Sequence, residues 1–201
     1  SEWIPEFEDM QVAVLAAPFD ENISPLRVDP EDLPEHRLVP AHRQITVHDI
    51  LTHTSGLASS GLGSAISAPA DRSPGATLAN TVPKFGDYVL DFQPGTRWQY
   101  SPATALDVIA RIIEIESGMP FPQFTQQRIF EPLGMNNTWW NVPAEYQDRR
   151  VVIVDRDMSR FFDVPDTTYF SGSYGLNSTA EDYLRFEQML ANGGELFGNR
   201  L

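Results

Sequence analysis

The positions of apolar residues predict a chain built mainly from helices. Apolar side chains recur at helical spacing over residues 103–117, and Gly118 followed by Pro120 predicts that this helix ends there. The predicted apolar face consists of Leu106, Ile109, Ile112 and Ile113. This is the strongest helical pattern in the sequence.

Three further helices are predicted. Thr46 with Asp49 three residues later has the pattern of a capping box and predicts a helix start. A short helix is predicted over residues 122–130. Ser178 and Glu181 form an S-x-x-E box that predicts the start of the last helix. The apolar residues of that helix are Tyr183, Phe186, Met189 and Leu190.

Strand signals are fewer. Residues 151–154 give the best one, and a short strand is predicted near residues 11–16. Residues 54–80 are rich in Ser, Gly, Ala and Pro and have no helical period. This composition predicts a long surface loop of the kind that often borders a site. We therefore expect a mostly helical piece with few strands.

The distribution of charge and proline predicts two regions. Residues 1–35 carry ten acids, one base and five prolines, so residues 1–44 are predicted to be an acidic, Pro-rich extended segment with a solvated surface. Residues 45–201 hold the predicted helices. They form the second predicted region.

The overall charge argues against two classes of binding partner. The 201 residues include 14 Lys+Arg and 28 Asp+Glu, which gives a formal net charge of -14. Polyanions and anionic membrane surfaces would repel such a chain, so we expect no nucleic-acid and no membrane partner. No apolar run approaches the roughly 18 residues of a membrane span.

The sequence contains few residues in a pattern that could bind a metal ion or a cofactor. It contains no cysteine, which excludes disulfides, thiolate zinc sites and a cysteine nucleophile. The histidines are His36, His42, His48 and His53, and no two of them have the i, i+4 spacing of a helical zinc site. We expect no metal and no cofactor. His53 is predicted to hydrogen-bond the end of its own helix.

Two local patterns are candidates for hydrolytic chemistry. The segment SGSYG at 171–175 approaches the G-x-S-x-G nucleophile elbow, but its first position is Ser171 and no apolar strand precedes it. Ser173 is therefore the least favoured candidate for the nucleophile. It would make the chain a self-contained Ser/His/Asp hydrolase. The turn at Pro94 and Gly95 places Tyr100 just before the strongest helix, where a tyrosine is either structural or catalytic.

Four ordered stretches of the chain have a recognisable pattern. They are ITVHDILTHTSGL (45–57), FQPGTRWQYS (92–101), IIEIESGMPF (112–121) with RIFEPLGM (128–135), and GLNSTAEDY (175–183) with NGGE (192–195). Together they resemble the serine β-lactamase, penicillin-binding protein and family VIII carboxylesterase group. WIPEF at 3–7 is similar to a segment that follows the family nucleophile. The resemblance implies an α/β fold of the β-lactamase/transpeptidase type.

The family acts by acyl transfer with three motifs, and this sequence holds one of them. The resemblance implies that Tyr100 is the catalytic, proton-shuttling tyrosine and that Ser101 and Pro102 belong to its substrate-binding loop. The S-x-x-K motif is absent, because the only lysine, Lys84, has Thr81 at the serine position. The third motif is absent as well. We therefore expect an incomplete domain: the helical region of a longer protein, without most of the catalytic sheet.

The resemblance implies that the longer protein is a serine hydrolase that works through an acyl-enzyme. This chain alone is expected to be inactive. Pro102 stands where β-lactamases and peptidases carry Asn, which favours a carboxylesterase acting on small esters. The alternatives are β-lactamase or D-amino-acid peptidase activity on amides in the parent, a split enzyme completed by another chain, and a non-catalytic binding or structural segment. Family members are often exported, but the sequence assigns no compartment.

Two further expectations concern apolar side chains. Trp139, Trp140, Phe161 and Phe162 either line an acyl pocket or pack in the core. Helical faces that normally pack on the missing sheet would leave apolar surface exposed, so the isolated chain is expected to associate.

Overall fold

The structure, a computed structural model, describes residues 10–15, 35–67, 70, 73–101, 104–152, 154 and 166–201. The chain divides into two compact units. The first is Ser1–Ile112 with Ser171–Ser173, and the second is Ile113–Phe170 with Tyr174–Leu201. The predicted boundary at residue 44 does not coincide with this division and stays a prediction.

A three-stranded sheet lies in the first unit. Its strands are β1 (Gln11–Leu15), β2 (His36–Pro40) and β3 (Val89–Leu90). The central β1 is antiparallel to β2, with Gln11 opposite Pro40, and parallel to β3, with Gln11 opposite Val89. The strand predicted near residues 11–16 is confirmed. Its two partners give no clear signal in the sequence because one is exposed and the other spans two residues.

The helices of the first unit surround a small apolar core. They are α1 (Val47–Leu51), α2 (Leu62–Ile66), α3 (Leu78–Thr81), a 3-10 helix (Val82–Asp87) and the start of α4 (Thr104–Ser117). The capping box of α1 is confirmed, because the Thr46 hydroxyl accepts the Asp49 N–H and the Asp49 carboxylate accepts the Thr46 N–H. Ile50, Phe85 and Leu90 are fully buried in the core.

The prediction of a surface loop over residues 54–80 is wrong in part. The segment contains α2 and the beginning of α3, and Leu57 within it is fully buried. Its order comes from distant partners: the Asp91 carboxylate accepts hydrogen bonds of 2.7 Å from the backbone N–H groups of Ser59 and Ser64. A segment with weak local preference is thus folded by contacts that the local pattern does not contain.

Helix α4 has the predicted bounds but a different buried face. Gly118 takes a φ of +65° directly after it, as expected of a glycine at a helix end. The predicted apolar stripe is only half-buried. The buried residues are Thr104, Ala105, Asp107, Val108 and Ala110. Small side chains suit this face because segment 171–173 approaches it closely: a Cβ on Gly172 would lie 2.2 Å from the Leu106 carbonyl oxygen.

The second unit holds a broken helical segment and a C-terminal helix. Its elements are α5 (Phe121–Thr125), a π-helical turn (Gln126–Phe130), α6 (Glu131–Leu133), a 3-10 helix (Ala144–Arg149), α7 (Ala180–Ala191), and the hairpin β4 (Glu195–Leu196) and β5 (Asn199–Arg200). Phe130, Leu133, Met135 and Met189 form its buried cluster. The predicted short helix over 122–130 therefore exists, with a π-helical second half.

Two predictions in the second unit are wrong. Residues 151, 152 and 154 lie in no strand, and Val151 and Val152 are largely exposed, since an apolar run forms a strand only where a partner strand supplies hydrogen bonds. The cap of α7 is Thr179, whose hydroxyl accepts the Asp182 N–H at 3.3 Å. Ser178, the expected cap, instead bonds through its hydroxyl to the Thr138 hydroxyl at 2.8 Å.

Candidate functional site

Tyr100 lies on an irregular segment that precedes α4, and its side chain points to solvent. The phenol side chain is 55% exposed, and Trp98, two residues earlier, is 65% exposed. Ser101, immediately after Tyr100, is fully buried. The segment therefore presents the phenol outward while the residue next to it anchors the chain.

Both neighbours of Tyr100 are hydrogen-bonded to His53. The Gln99 N–H donates to the His53 carbonyl oxygen at 3.0 Å, and the Ser101 N–H donates to the His53 ring nitrogen Nδ1 at 3.3 Å. The side chains of these neighbours turn inward as well: the Gln99 amide donates to the Ser59 carbonyl oxygen and the Ser101 hydroxyl to the Leu57 carbonyl oxygen. Tyr100 is thus held from both sides through its backbone.

The His53 ring also contacts the Tyr100 ring. Their centroids are 4.8 Å apart in an edge-to-face arrangement, and the Trp98 ring approaches His53 from 6.3 Å. Nδ1 acts as the acceptor of the Ser101 N–H, an arrangement that requires the tautomer with the ring proton on Nε2. His53 was expected to bond the end of its own helix. Its backbone N–H does so, donating to the Ile50 carbonyl oxygen at 3.2 Å, but its ring serves the Tyr100 segment.

The turn after α1 has an unusual backbone that brings His53 to this position. His53 has a φ of +57°, in the left-handed region that non-glycine residues rarely adopt. Gly56 follows with a φ of +76°, and a Cβ there would lie 2.4 Å from the Phe92 carbonyl oxygen. The Thr54 N–H donates to the Asp49 carbonyl oxygen at 2.8 Å, and the Thr54 carbonyl oxygen accepts the Gly95 N–H at 2.8 Å. These bonds tie the end of α1 to the turn before Tyr100.

An ion pair stabilises the start of α1. The Arg43 guanidinium donates two hydrogen bonds to the Asp49 carboxylate, at 2.6 and 2.8 Å. These bonds, together with those from the Thr46 hydroxyl and N–H, hold the pKa of the Asp49 carboxyl well below its usual range despite its burial. Asp49 therefore remains ionised and keeps the capping box intact at neutral pH.

The geometry around Ser173 does not resemble a nucleophile elbow. Its hydroxyl lies 3.0 Å from the Ser171 hydroxyl, which in turn donates to the buried Asp107 carboxylate. The Gly172 N–H donates to the same carboxylate oxygen at 2.9 Å. The described contacts of the Ser173 hydroxyl thus involve serine and not an imidazole, and the cluster joins segment 171–173 to α4.

The only lysine is not placed as an S-x-x-K lysine. Lys84 lies exposed on the 3-10 helix after α3, and Thr81, which has the serine spacing, is buried. The hydroxyl of a buried threonine in this position is not accessible to a substrate. Among the described residues, no group of three or more His, Asp or Glu side chains could hold a metal ion. No described helix is long and apolar enough to cross a membrane.

The paired tryptophans of the second unit pack against other aromatic rings. Trp139 stacks on Tyr146 with centroids 5.2 Å apart, and its backbone forms a bridge to Asn177. The Trp140 ring lies 5.7 Å from each of the rings of Phe121 and Phe170. Both tryptophans are half-buried and Tyr146 is exposed, so neither ring belongs to the buried cluster of this unit. Phe161, Phe162, Pro102 and the WIPEF segment at 3–7 lie outside the described residues.

The small sheet and the helices define the class of protein. They match part of the β-lactamase/transpeptidase-like fold, and the described residues are mostly helical with few short strands. A family model described as Beta-lactamase matches residues 20–200, and the chain belongs to this family. The family and fold inferred from the four sequence stretches are thereby confirmed.

The relatives include proteins that are named for different activities. Protein Rv1367c of Mycobacterium tuberculosis is 34% identical over 99% of this chain and 48% of its own length. The lovastatin esterase of Penicillium rubens is 36% identical over 60% of this chain and 30% of its own length. A D-alanyl-D-alanine carboxypeptidase/endopeptidase of Escherichia coli also matches.

Among solved structures, EstCE1, described as a hydrolase with promiscuous acyltransferase activity, superimposes with a TM-score of 0.62. The match covers all of this chain and 53% of EstCE1 at 20% identity, so it shows the fold alone. The chain spans about half the length of the curated relatives that it matches most fully.

Proposed function

We propose that this chain carries the proton-shuttling tyrosine of a serine hydrolase, and that Tyr100 is that residue. The observation that carries the proposal is the geometry of the Tyr100 segment. Gln99 and Ser101 turn inward and are fixed by hydrogen bonds, whereas the phenol between them is 55% exposed. A general base must be both held in place and accessible to the group whose proton it takes, and Tyr100 meets both conditions.

The proposed reaction proceeds through an acyl-enzyme. A serine hydroxyl attacks the carbonyl carbon of the substrate and loses its proton to Tyr100, which then protonates the leaving alcohol. Water attacks the acyl-enzyme in the second half, and the tyrosine exchanges protons in the same way. A free phenol has a pKa of about 10 and is protonated at neutral pH, so Tyr100 can accept the serine proton only as a phenolate, which a nearby cation must stabilise; in this proposal that cation is the lysine of an S-x-x-K motif. We place that lysine and the nucleophilic serine outside this sequence, because S-x-x-K does not occur in it.

The proposed substrates are small esters. Pro102 follows the Tyr-Ser pair where an asparagine would favour β-lactams and peptides, and a lovastatin esterase and an esterase of Burkholderia gladioli are among the relatives. The D-alanyl-D-alanine carboxypeptidase among the relatives supports amide hydrolysis as the second candidate. In this proposal Ser101 supports the tyrosine segment, since its buried hydroxyl is bonded to a backbone carbonyl.

The proposal is tested by replacing the phenol in the full-length protein. We expect Tyr100→Phe to lower kcat/KM for a p-nitrophenyl ester by about 100- to 10,000-fold, the usual contribution of general acid–base catalysis. Tyr183→Phe is the matched control, because that side chain is 56% exposed on α7. Equal activity of Tyr100→Phe and the parent would sink the proposal. Faster turnover of a D-alanyl-D-alanine peptide than of the ester would favour the second candidate.

The isolated chain provides an independent test. After incubation of the 201-residue chain with a serine-directed fluorophosphonate, we expect no adduct in the intact mass, because Ser101 is buried and Ser173 is bonded to Ser171. A stoichiometric adduct would mean that the chain holds its own activated serine. Mapping it to Ser173 would restore the self-contained hydrolase.

A further inference from the structure

We propose that His53 is a positioning residue for Tyr100: its unprotonated Nδ1 and its carbonyl oxygen hold the two neighbours of the tyrosine. The inference rests on the proposed function, since it assigns the group that fixes the proposed base. His53 does not itself touch the reacting atoms in this scheme. Its task is to keep the phenol in one place.

The first support is the bonding pattern around Tyr100. The N–H groups of residues 99 and 101 both donate to His53, one to its carbonyl oxygen at 3.0 Å and one to Nδ1 at 3.3 Å. The imidazole also lies edge-to-face against the phenol ring, with centroids 4.8 Å apart. One residue therefore restrains the tyrosine backbone on both sides and its ring on a third.

The second support is that the ring is not needed for the local structure of α1. The His53 N–H already donates to the Ile50 carbonyl oxygen, and the Thr54 N–H donates to the Asp49 carbonyl oxygen, so the helix end is closed by backbone groups alone. The described contacts of the His53 imidazole go to the rings of Trp98 and Tyr100 and to the Ser101 N–H. A histidine at this turn is thus explained by the segment 45 to 48 residues further along the chain.

The third support is the backbone conformation of His53. A φ of +57° is disfavoured for most residues with a Cβ, although His and Asn adopt it more readily than others. Such a conformation persists only where surrounding contacts enforce it. Here the backbone N–H, the carbonyl oxygen and Nδ1 are all engaged, which directs the ring toward the Tyr100 segment.

The positive φ of His53 determines which substitutions can remove the hydrogen-bond acceptor of the side chain without straining the backbone. Asparagine tolerates the left-handed φ and can place its Oδ1 close to the position of Nδ1, so His53→Asn retains an acceptor for the Ser101 N–H. Glycine tolerates the same φ without strain but has no acceptor, so His53→Gly removes only the side chain. His48→Ala serves as the control, because His48 is exposed on α1.

The decisive experiment compares these variants in the full-length protein with a p-nitrophenyl ester. We expect His53→Gly to lower kcat by about 10- to 100-fold with KM within about twofold, since a small displacement of a catalytic group has effects of this size. His53→Asn should recover most of kcat, and His48→Ala should match the parent. Unchanged kcat in His53→Gly would overturn the inference, and so would equal losses in His53→Gly and His53→Asn.

A second measurement keeps this inference distinct from the proposed function. Amide hydrogen exchange of Ser101 should be slow in the parent and in His53→Asn but fast in His53→Gly. If Tyr100→Phe retains full activity, the proposed function fails, while slow exchange lost only in His53→Gly still supports the positioning role. If Ser101 exchanges equally in all three proteins, His53 does not hold the segment and the inference fails.

Discussion

The buried carboxylate of Asp107 accepts a hydrogen bond from the hydroxyl of Ser171, 64 residues further along the chain. The same carboxylate oxygen accepts the Gly172 N–H at 2.9 Å. Asp107 stands on the face of α4 that the sequence pattern does not mark as apolar, and this contact explains why that face is buried. The helix that follows Tyr100 is thus joined to segment 171–173 by a polar contact.

Replacing Asp107 should therefore destabilise the first unit. Asp107→Ala leaves the Ser171 hydroxyl and the Gly172 N–H without their acceptor, and we expect a loss of about 2 to 4 kcal/mol in the free energy of urea unfolding. Ser173→Ala should change it by less than about 1 kcal/mol, because that hydroxyl bonds only to another hydroxyl among its described contacts. Similar losses in the two variants would contradict this assignment.

The Arg43–Asp49 pair predicts a pH dependence of stability. The pKa of Asp49 is lowered in the folded state by the hydrogen bonds from Arg43 and Thr46, so the ionised carboxylate stabilises the fold. This contribution is fully present above the ordinary carboxyl pKa of about 3.9 and is lost as the pH falls below it toward the lower folded value.

The measurement is urea unfolding of the parent and Asp49→Asn between pH 3 and 7. At neutral pH we expect Asp49→Asn to be less stable by about 1 to 2 kcal/mol, a modest value because the Arg43 side chain is half-exposed. The difference should shrink below about pH 4, where the Asp49 carboxyl of the unfolded protein takes up its proton while that of the folded protein is still ionised. Asp87→Asn, at an exposed aspartate, is the control. A constant difference across this range would rule out the proposed ionisation.

Gly63 in α2 predicts a reversal of the usual effect of alanine. Replacing an unobstructed glycine in a helix by alanine usually stabilises the protein by about 0.5 to 1 kcal/mol. At Gly63, however, a Cβ would lie 2.4 Å from the Val89 carbonyl oxygen. We expect Gly63→Ala to destabilise the protein by about 1 to 3 kcal/mol, measured by thermal or urea unfolding. A stabilising effect would show that the α2–β3 contact is looser than described.

Exposed apolar side chains on α7 predict that the isolated chain associates. Of the four residues predicted to form its apolar face, Met189 is buried and Phe186 packs against the core cluster, but Tyr183 and Leu190 are exposed. Leu184 on the same helix is also exposed. Such a group of side chains favours self-association.

We therefore expect the isolated chain to bind a hydrophobic dye and to sediment as more than a monomer. The double variant Leu184→Lys with Leu190→Lys should reduce both signals without lowering the unfolding temperature, since neither side chain is buried. Leu51→Lys, at an exposed leucine on α1, is the control for added charge alone. A monodisperse parent chain that binds no dye would contradict the expectation.

The accuracy of the sequence predictions follows the range of the interactions involved. The start of α1 and the bounds of α4 are correct because capping and helical spacing act between residues three or four positions apart. The cap of α7 is off by one residue, since Ser178 and Thr179 have the same chemistry and only the Thr138 hydroxyl decides between them. The predicted strand at 151–154 is wrong because an apolar run does not indicate whether another segment is available to pair with it.

The candidate site divides in the same way. Tyr100 is proposed from the family resemblance of its motif, but the contacts of His53 with the Tyr100 segment could not be predicted, because the atoms that His53 binds lie 46 and 48 residues away. The only signal that could have pointed to His53 is the presence of HTSG and QYS in the same family resemblance. The ordering of residues 54–67 by Asp91 has no counterpart in their own composition.

The sequence by itself determined the four predicted helices, the family, the place of the tyrosine motif in the chain and the absence of an S-x-x-K motif. These depend on residue identity and on spacing within a few positions. Only the tertiary structure decided which face of α4 is buried, how β1 finds β2 and β3, and what holds Tyr100 in place. The physical reason is that strand pairing and the hydrogen bonds of buried polar groups join distant residues, and their partners are chosen only when the whole chain is packed.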